Sequence, residues 1–230
     1  MTELAFKVRD LHVSRHGSKV LRGVNLDLPA RGVSALLGAS GAGKSTLLRA
    51  LNRLLDLEEG VEQSGRIEAY GSDIHAQGWN PDRLRERVGM LFQKPVLFPG
   101  SIEDNVLFAL RRLGRRADRA LCRAALEEAG LLAEIDERLA EPATRLSMGQ
   151  RQRLILARAL TLEPEVLLAD EPTSALDVNS ARAVEGTLAA FGERGAVLLV
   201  THDETQAERL APGRCLYLRR GRISSEALSE

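Results

Sequence analysis

The sequence has no excess of charge of either sign. Its 32 Lys and Arg residues balance 32 Asp and Glu residues, so the formal net charge of the 230 residues is zero. A domain that binds nucleic acid usually carries a basic excess or a basic stripe. The balance therefore gives no support for a nucleic-acid partner, and we expect none.

Cysteines and long apolar runs are also scarce. The two cysteines, Cys122 and Cys215, stand far apart, which argues against a disulfide or a cysteine metal site, and we expect buried, reduced thiols. No apolar run approaches the length of a membrane span, and residues 1–4 show no signal-peptide pattern. These absences predict a cytoplasmic chain.

A glycine-rich stretch lies between a predicted strand and a predicted helix. Residues 33–37 are apolar, residues 47–51 have helical spacing, and the stretch between them reads Gly38-Ala39-Ser40-Gly41-Ala42-Gly43-Lys44-Ser45-Thr46. This context is typical of a phosphate-binding P-loop, in which backbone N–H groups and a helix N-terminus hold phosphate oxygens. Lys44 is expected to reach the β- and γ-phosphates, and Ser45 to bind Mg²⁺. The alternative is a flexible Gly/Ser connection, which this context disfavours.

Two carboxylates, Asp170 and Glu171, follow the apolar run 166–169. In P-loop enzymes an acid at a strand end holds Mg²⁺, usually through water, which is the role we assign to Asp170. Glu171 is then expected to polarise the attacking water as a general base. In isolation Asp-Glu-Pro is also a common helix-capping sequence, but the P-loop upstream favours the catalytic interpretation.

A third motif, residues 146–150, reads Leu-Ser-Met-Gly-Gln and precedes a helix predicted to start near Arg151. Serine and glycine at a helix start are ordinary capping residues. The same arrangement could grip a phosphate through N–H and hydroxyl groups. The pentapeptide alone does not decide between these interpretations.

The pattern of strands and helices predicts an α/β fold with a mainly parallel sheet and ligands at its carboxyl edge. The predicted elements are antiparallel strands over 5–28 with a turn at 16–18, a helix over 44–55, strands at 66–69 and 88–92, helices within 101–161, a strand at 166–169, a helix over 179–191, a strand at 196–201, a helix from 203, and closing strands at 214–219 and 222–223. Residues 79–81 read as a polar loop.

One domain is expected over residues 1–230. Its core comprises residues 1–93 and 162–230 with an N-terminal antiparallel β subdomain, and residues 94–161 form an inserted helical subdomain. That insertion contains an arginine cluster, Arg111, Arg112, Arg115 and Arg116. Because acidic residues follow closely, we interpret the cluster as a solvated helical face rather than an anion site.

The ordered set of motifs resembles the nucleotide-binding cassette of ABC transporters, and the resemblance covers essentially the whole chain. The matches are residues 38–45 for Walker A, Gln93 for the Q-loop glutamine, residues 146–150 for the signature, residues 166–170 for Walker B with Glu171 as the following acid, residues 174–177 for the D-loop, and His202 for the switch histidine.

The resemblance implies an ATPase in which two copies pack head to tail around two ATP molecules. Each nucleotide is expected between the P-loop of one chain and Ser147 and Gly149 of the other, with Gln150 and Asp177 in the same nucleotide-binding set. His202 is expected to contact the γ-phosphate, and Gln93 to approach Mg²⁺ and the water. The family also implies integral membrane permease subunits, a substrate-binding protein if the transporter is an importer, and a location on the inner face of the membrane.

Two positions depart from the family pattern. Met148 stands where the signature usually has glycine, and because Ser147 and Gly149 are kept we expect nucleotide closure to survive with altered affinity. His16 stands where the family stacks an aromatic ring on adenine. Imidazole stacks more weakly, and Arg15 is an alternative cover for the base plane.

Finer similarity points to the ATPase subunit of bacterial phosphate importers, through residues 51–53, 88–95, 98–99, 101–105 and 134–139. Residues 96–97 and 201–207 are at least as similar to cassettes of metal-ion exporters. Phosphate import is therefore the expected function. The alternatives are export of a metal ion or another solute, and a regulatory or nucleic-acid-associated ATPase.

Coupling to a permease is expected in the segment 92–105. This segment should line a groove for a short permease helix, with Leu97 and Phe98 as apolar anchors. Local core beneath the helical subdomain is an equally good interpretation of both side chains.

Overall fold

The computed structural model describes residues 3–224; residues 1–2 and 225–230 of the predicted domain lie outside that range. The strands are β1 (Leu4–Arg15), β2 (Ser18–Pro29), β3 (Gly32–Leu37), β4 (Val61–Ala69), β5 (Ser72–Asp73), β6 (Val88–Leu91), β7 (Val166–Asp170), β8 (Ala196–Val200), β9 (Cys215–Arg219) and β10 (Arg222–Ser224). The α-helices are α1 (Lys44–Leu51), α2 (Pro81–Arg87), α3 (Ile102–Arg112), α4 (Arg119–Glu128), α5 (Leu132–Ile135), α6 (Met148–Leu160), α7 (Val178–Gly192) and α8 (Glu204–Leu210). Short 3₁₀ turns occupy Leu55–Leu57, Asp136–Arg138 and Ala143–Arg145. Within the described range, no helix combines the length and apolar character needed to cross a membrane.

Two sheets organise the chain. The first is antiparallel, with strand order β2-β1-β4-β5. The second has the order β10-β9-β3-β8-β7-β6; its strands from β9 to β6 are parallel, and β10 runs antiparallel to β9. The predicted α/β fold with a mainly parallel sheet and an N-terminal antiparallel part is confirmed.

The parallel sheet is covered on both faces, which explains why β7 is buried along its whole length. Leu167 and Ala169 pack on one face against α3, α4, α6 and α7. Val166 and Leu168 pack on the other face against α1 and the antiparallel sheet. The inserted helices therefore share a hydrophobic core with the sheet that ends at the motifs.

The region between α1 and β6 differs from the prediction. Helix α1 ends at Leu51, four residues early, because Asn52 caps it and Arg53 adopts a left-handed φ of 51°. Strand β4 begins at Val61, well before the predicted residue 66, since residues 61–64 continue the antiparallel pairing with β1.

The predicted polar loop at residues 79–81 leads directly into α2, a helix that the prediction missed. The signal was present, because the Asn80 side chain accepts from the Asp82 N–H at 2.8 Å and Pro81 occupies the first helical position. The following strand ends at Leu91, one residue before its predicted end.

Three of the four arginines in the cluster pair with local acids, as the solvated-face interpretation predicts. Arg111 contacts Glu103 and Asp104, Arg115 contacts Glu86, and Arg116 contacts Asp118.

Both cysteines are free thiols. Cys122 is buried as predicted, and burial raises the pKa of its thiol to about 12. The prediction of full burial is wrong for Cys215, which is half-buried at the start of β9.

Candidate active site

The P-loop joins the end of β3 to the start of α1. Gly43 caps the helix with a φ of 104°, which a side chain at this position would strain. A cleft of about 420 Å³ opens over this turn. It is lined by Val20, Ser40, Gly41, Gly43, Lys44, Ser45, Thr46, Gln93, Asp170, Glu171 and His202. Four motifs that are distant in sequence therefore meet at one cleft.

The remaining predicted P-loop residues, Gly38, Ala39 and Ala42, line an adjacent cavity that also includes Tyr217 and Arg219. Ser40, Gly41 and His202 line both cavities. Asp170 and Glu171 line the cleft that contains Lys44.

Lys44 is nearly buried, at 6% exposure. Its ammonium donates to the carbonyl oxygens of Gly38 at 2.7 Å and Ala39 at 3.1 Å. It also lies 3.8 Å from Oε1 of Glu171. The loop carbonyls therefore hold the cation directly beneath the cleft, where an anion can reach it.

Three side chains converge on Glu171. Besides Lys44 on Oε1, the Gln93 amide donates to Oε2 at 3.1 Å, and Nδ1 of His202 lies 3.5 Å from the same oxygen. The Glu171 backbone adopts a left-handed φ of 45°, and its N–H donates to the carbonyl of Val200 at 3.0 Å. Its carboxylate is thus held at the junction of β7 and β8.

Asp170 is the buried last residue of β7, and it lines the cleft together with Ser45. Burial raises the pKa of Asp170, and the nearby Ser45 side chain partly offsets this effect. A hydroxyl, a carboxylate and the amide of Gln93 are the hard oxygen ligands that Mg²⁺ prefers.

Within residues 3–224, no cluster of three or more His, Cys, Asp or Glu side chains could hold a metal by itself. The residues therefore fit Mg²⁺ only as a partial shell completed by phosphate and water oxygens, which is how this ion is usually bound.

The signature motif caps α6. Ser147 accepts from the Gln150 N–H at 3.3 Å, and the Gln150 side chain accepts from the Ser147 N–H at 3.1 Å, which forms a capping box. Helix α6 therefore begins at Met148, three residues before the predicted start, because the motif itself forms the first turn.

The D-loop residue Asp177 similarly caps α7 by accepting from the N–H groups of Asn179 and Ser180, both at 3.0 Å. The two helix starts lie close together, since a Cβ on Gly149 would stand only 2.2 Å from the Ser180 hydroxyl. Ser147, Gly149, Gln150 and Asp177 are not among the residues that line this chain's own cleft.

His16 lies on the turn between β1 and β2, where its ring packs against Gly60. It does not line the cleft, and Arg15 beside it pairs with Glu58 at 2.8 Å. The adenine contact of His16 therefore stays a prediction. Val20, which was not predicted, lines the cleft from β2. Its signal in the sequence is the alternation of apolar residues along that strand.

Comparison with known proteins agrees with this geometry. The profile of the ABC transporter family matches residues 21–174. The chain is 43% identical over 213 residues to "Phosphate import ATP-binding protein PstB 1" of Vibrio vulnificus strain YJ016, which covers 91% of this chain and 78% of the relative. It is 40% identical over 211 residues to "Phosphate import ATP-binding protein PstB 2" of Synechococcus sp. strain JA-2-3B'a(2-13), covering 91% and 80%.

A solved structure shows the same fold. The structure of a bacterial Atm1-family ABC exporter with ATP bound superposes with a TM-score of 0.81 at 27% identity, over 96% of this chain and 38% of the exporter chain. With the family profile, the relatives and the cleft taken together, the chain belongs to the ABC transporter family, as one of its nucleotide-binding, ATP-hydrolysing cassettes.

Proposed function

We propose that this chain is the ATPase subunit of an importer of inorganic phosphate. The observation that carries the ATPase part is the convergence of Lys44, Gln93 and His202 on Glu171 at the mouth of the P-loop. Support for phosphate as the cargo comes from relatives named as phosphate import ATP-binding proteins, which match 91% of the chain. The solute does not touch this subunit, so its chemistry leaves no trace in the cleft.

The proposed hydrolysis uses the cleft as follows. The P-loop N–H groups and Lys44 hold the β- and γ-phosphates and offset charge that develops during transfer. Glu171 orients a water molecule toward the γ-phosphate and takes its proton, while His202 contacts the γ-phosphate and Gln93 fixes the Glu171 carboxylate.

Ser45, Asp170 and Gln93 are the residues that would hold Mg²⁺. When bound, the ion neutralises charge on the phosphate oxygens. The shared position of these three residues in one cleft supports this role, because it brings a hydroxyl, a carboxylate and an amide oxygen to the same site.

The dimer is the second part of the proposal. Ser147, Gly149, Gln150 and Asp177 do not line their own cleft and would complete the nucleotide site of a second copy. Support comes from exposed apolar side chains at the same helix starts, Met148 at 47% and Val178 at 66% exposure. Such side chains are typical of a surface that another protein covers.

The permease contact is the third part. Around the segment 92–105, Phe92, Val96 and Phe108 are exposed. Phe98 is half-buried: its ring stacks on Phe108 at 4.0 Å, and the Arg158 guanidinium lies 4.4 Å above it. This apolar surface can accept a short permease helix, with Phe98 as its floor.

Leu97, the other proposed anchor, packs against the core beneath the helices. That contact favours the local-core interpretation for Leu97 alone, so the anchor role rests on Phe98.

Three further parts follow from the family. Residues 94–161 would be the helical subdomain inserted into a catalytic core of residues 1–93 and 162–230. A substrate-binding protein would deliver phosphate to the permease from the other side. The chain would be held on the inner membrane face by its permease.

The test combines hydrolysis with transport. Lys44→Ala should abolish ATP hydrolysis by the purified protein. Lys19→Ala, at an exposed lysine on β2, should leave hydrolysis unchanged. Vesicles that contain the wild-type chain with its permease should take up labelled phosphate and not a divalent metal ion. Normal hydrolysis by Lys44→Ala would refute the ATPase mechanism, and metal transport without phosphate uptake would refute the cargo.

A further inference from the structure

A buried carboxylate outside the nucleotide cleft connects two of the loops that form it. Glu185 of α7 is only 7% exposed, and the Arg209 guanidinium of α8 donates to both of its carboxylate oxygens at 2.8 Å. Gln206, one turn earlier on α8 and 4% exposed, donates to Oε1 of Glu185 at 2.8 Å. The buried Glu185 carboxylate therefore ties α8 to α7, with the half-exposed Arg209 side chain closing the contact from the surface.

Gln206 extends this connection to the segment after Glu171. Its amide nitrogen also donates to the Thr173 hydroxyl at 2.7 Å. An ionised carboxylate only accepts hydrogen bonds, so the nitrogen of Gln206 must face Glu185, and both of its N–H groups are then used. Thr173 lies two positions after Glu171, and Gln206 lies four positions after His202.

The two helix and loop segments that Gln206 joins are hydrogen-bonded to the turns that carry His202 and Glu171. Asp203, directly after His202, accepts from the backbone N–H of Gln206 at 3.1 Å and so caps α8. On the other side, the N–H and the hydroxyl of Ser174 donate to the Glu171 carbonyl at 3.2 and 3.1 Å, which closes a tight turn around Thr173.

The His202 ring depends on its backbone turn for its position. Its side chain is 65% exposed, so packing does not orient the ring, yet its Nδ1 lies 3.5 Å from Oε2 of Glu171. The Glu171 backbone also stands in the left-handed region at a φ of 45°, which surrounding structure must stabilise.

We propose that Gln206 is a positioning residue for ATP hydrolysis, because its bridge from Thr173 to Glu185 holds the Glu171 turn and the His202 turn in register. Gln206 does not line the cleft, so it acts through those two residues. The inference rests on the roles proposed above for Glu171 and His202.

The main test replaces the amide by an apolar group of similar size, Gln206→Leu. Since misplacement of reacting groups by about 1 Å can cost up to roughly a hundredfold, kcat for ATP hydrolysis should fall about ten- to hundredfold. KM for ATP should stay unchanged, because the P-loop contacts are intact. Thr173→Val removes only the hydroxyl that accepts from Gln206, at a half-buried position, and should also lower kcat. It replaces Gln206→Leu in the test if that variant does not fold.

Thr187→Val is the matched control for stability. Thr187 is also buried on α7, and its hydroxyl donates to the carbonyls of Ala183 at 3.1 Å and Glu128 at 3.2 Å, away from the cleft. Its loss should lower Tm and leave kcat unchanged. In a His202→Ala background, Gln206→Leu should cause little further loss of kcat, because residues that act as one unit are not additive.

The proposal is overturned if Gln206→Leu and Thr173→Val keep the kcat of the Thr187→Val control, or if Gln206→Leu lowers kcat by the same factor with and without His202. Lys44→Ala in the same assay separates this result from the proposed function. If Lys44→Ala is inactive while Gln206→Leu is fully active, the positioning role alone is wrong; if Lys44→Ala is active, the proposed function is wrong.

Discussion

The Lys44 ammonium and the Glu171 carboxylate face each other across the cleft, with Nζ 3.8 Å from Oε1. Lys44 belongs to the loop that would hold the triphosphate, and Glu171 to the strand end that would present the water. The other oxygen of Glu171 is held by Gln93 and lies beside His202. One carboxylate thus contacts both the residue proposed to hold the phosphates and the residues proposed to act on the water and the γ-phosphate.

Asp170→Asn should weaken Mg²⁺ binding. Loss of a residue that supports a metal through water typically costs about 10–100-fold in affinity, which titration of ATP hydrolysis with Mg²⁺ would measure. Because burial raises the pKa of Asp170, its proton should compete with the ion, so the wild-type Mg²⁺ affinity should fall as pH falls toward that pKa. The variant should lack this dependence, and an equal pH dependence in both proteins would contradict the assignment.

The same substitution should stabilise the protein in the absence of metal. An acid whose folded-state pKa is raised destabilises the fold where it is ionised, so the cost is absent at low pH and present at pH 7. For a chain of this size, an increase of about 1 kcal/mol in the free energy of unfolding raises Tm by roughly 2–4 °C. Glu127→Gln, at an exposed residue of α4, is the control and should leave Tm unchanged. A lower Tm for Asp170→Asn than for the control would show that the buried Asp170 charge does not destabilise the fold.

Asp104→Ala should destabilise the chain by about 1 kcal/mol at pH 7, the usual worth of a helix cap. Asp104 closes the capping box of α3: it accepts from the N–H and hydroxyl of Ser101 at 3.0 and 2.7 Å and pairs with Arg111 at 2.5 Å. These contacts lower the pKa of Asp104 from 3.8 to about 2.

A lowered carboxyl pKa stabilises the fold above the unfolded-state value, and the effect is lost as pH falls from 3.8 toward 2. Urea unfolding at pH 7, 5 and 3.5 should therefore show the difference between wild type and Asp104→Ala shrinking only at the lowest pH. Glu127→Ala, at an exposed residue of α4, is the comparison. A difference that stays constant with pH would mean that the ionised carboxylate is not the stabilising form.

Phe98→Ala should uncouple transport from hydrolysis. The change removes the stack on Phe108 and the surface beneath Arg158, neither of which touches the cleft. ATP binding and hydrolysis by the isolated subunit should therefore persist, while uptake by vesicles that contain the permease should be lost. Leu113→Ala, at an exposed apolar residue just after α3, is the matched control. Retained permease association together with normal uptake in Phe98→Ala would refute the anchor role.

Most of the residues that line the cleft could be predicted because they belong to short local motifs. A P-loop needs its glycines, Lys44 and Ser45 in consecutive positions, and Asp170 and Glu171 must follow a buried strand; each condition can be read within about ten residues. The parallel order of β3, β8 and β7 then brings these strand ends together.

Features that depend on distant packing could not be predicted. The bridge from Glu185 through Gln206 to Thr173 joins residues that are 21 and 33 positions apart, and no local pattern marks them as partners. The position of His16 against Gly60 depends likewise on how β4 returns beside β1. The early end of α1 was missed because the left-handed residue that stops it is Arg53 rather than glycine.

The most direct test of the account is the mass of Glu171→Gln in solution, measured by light scattering with and without ATP and Mg²⁺. The variant should hydrolyse ATP negligibly and should shift with ATP from one 25.1 kDa copy to two, because the nucleotide remains intact between the chains. Ser147→Arg in the same background should block that shift by placing a large side chain where the second copy must contact the nucleotide. A single-copy mass at saturating ATP, or a dimer that Ser147→Arg leaves unaffected, would contradict the shared site.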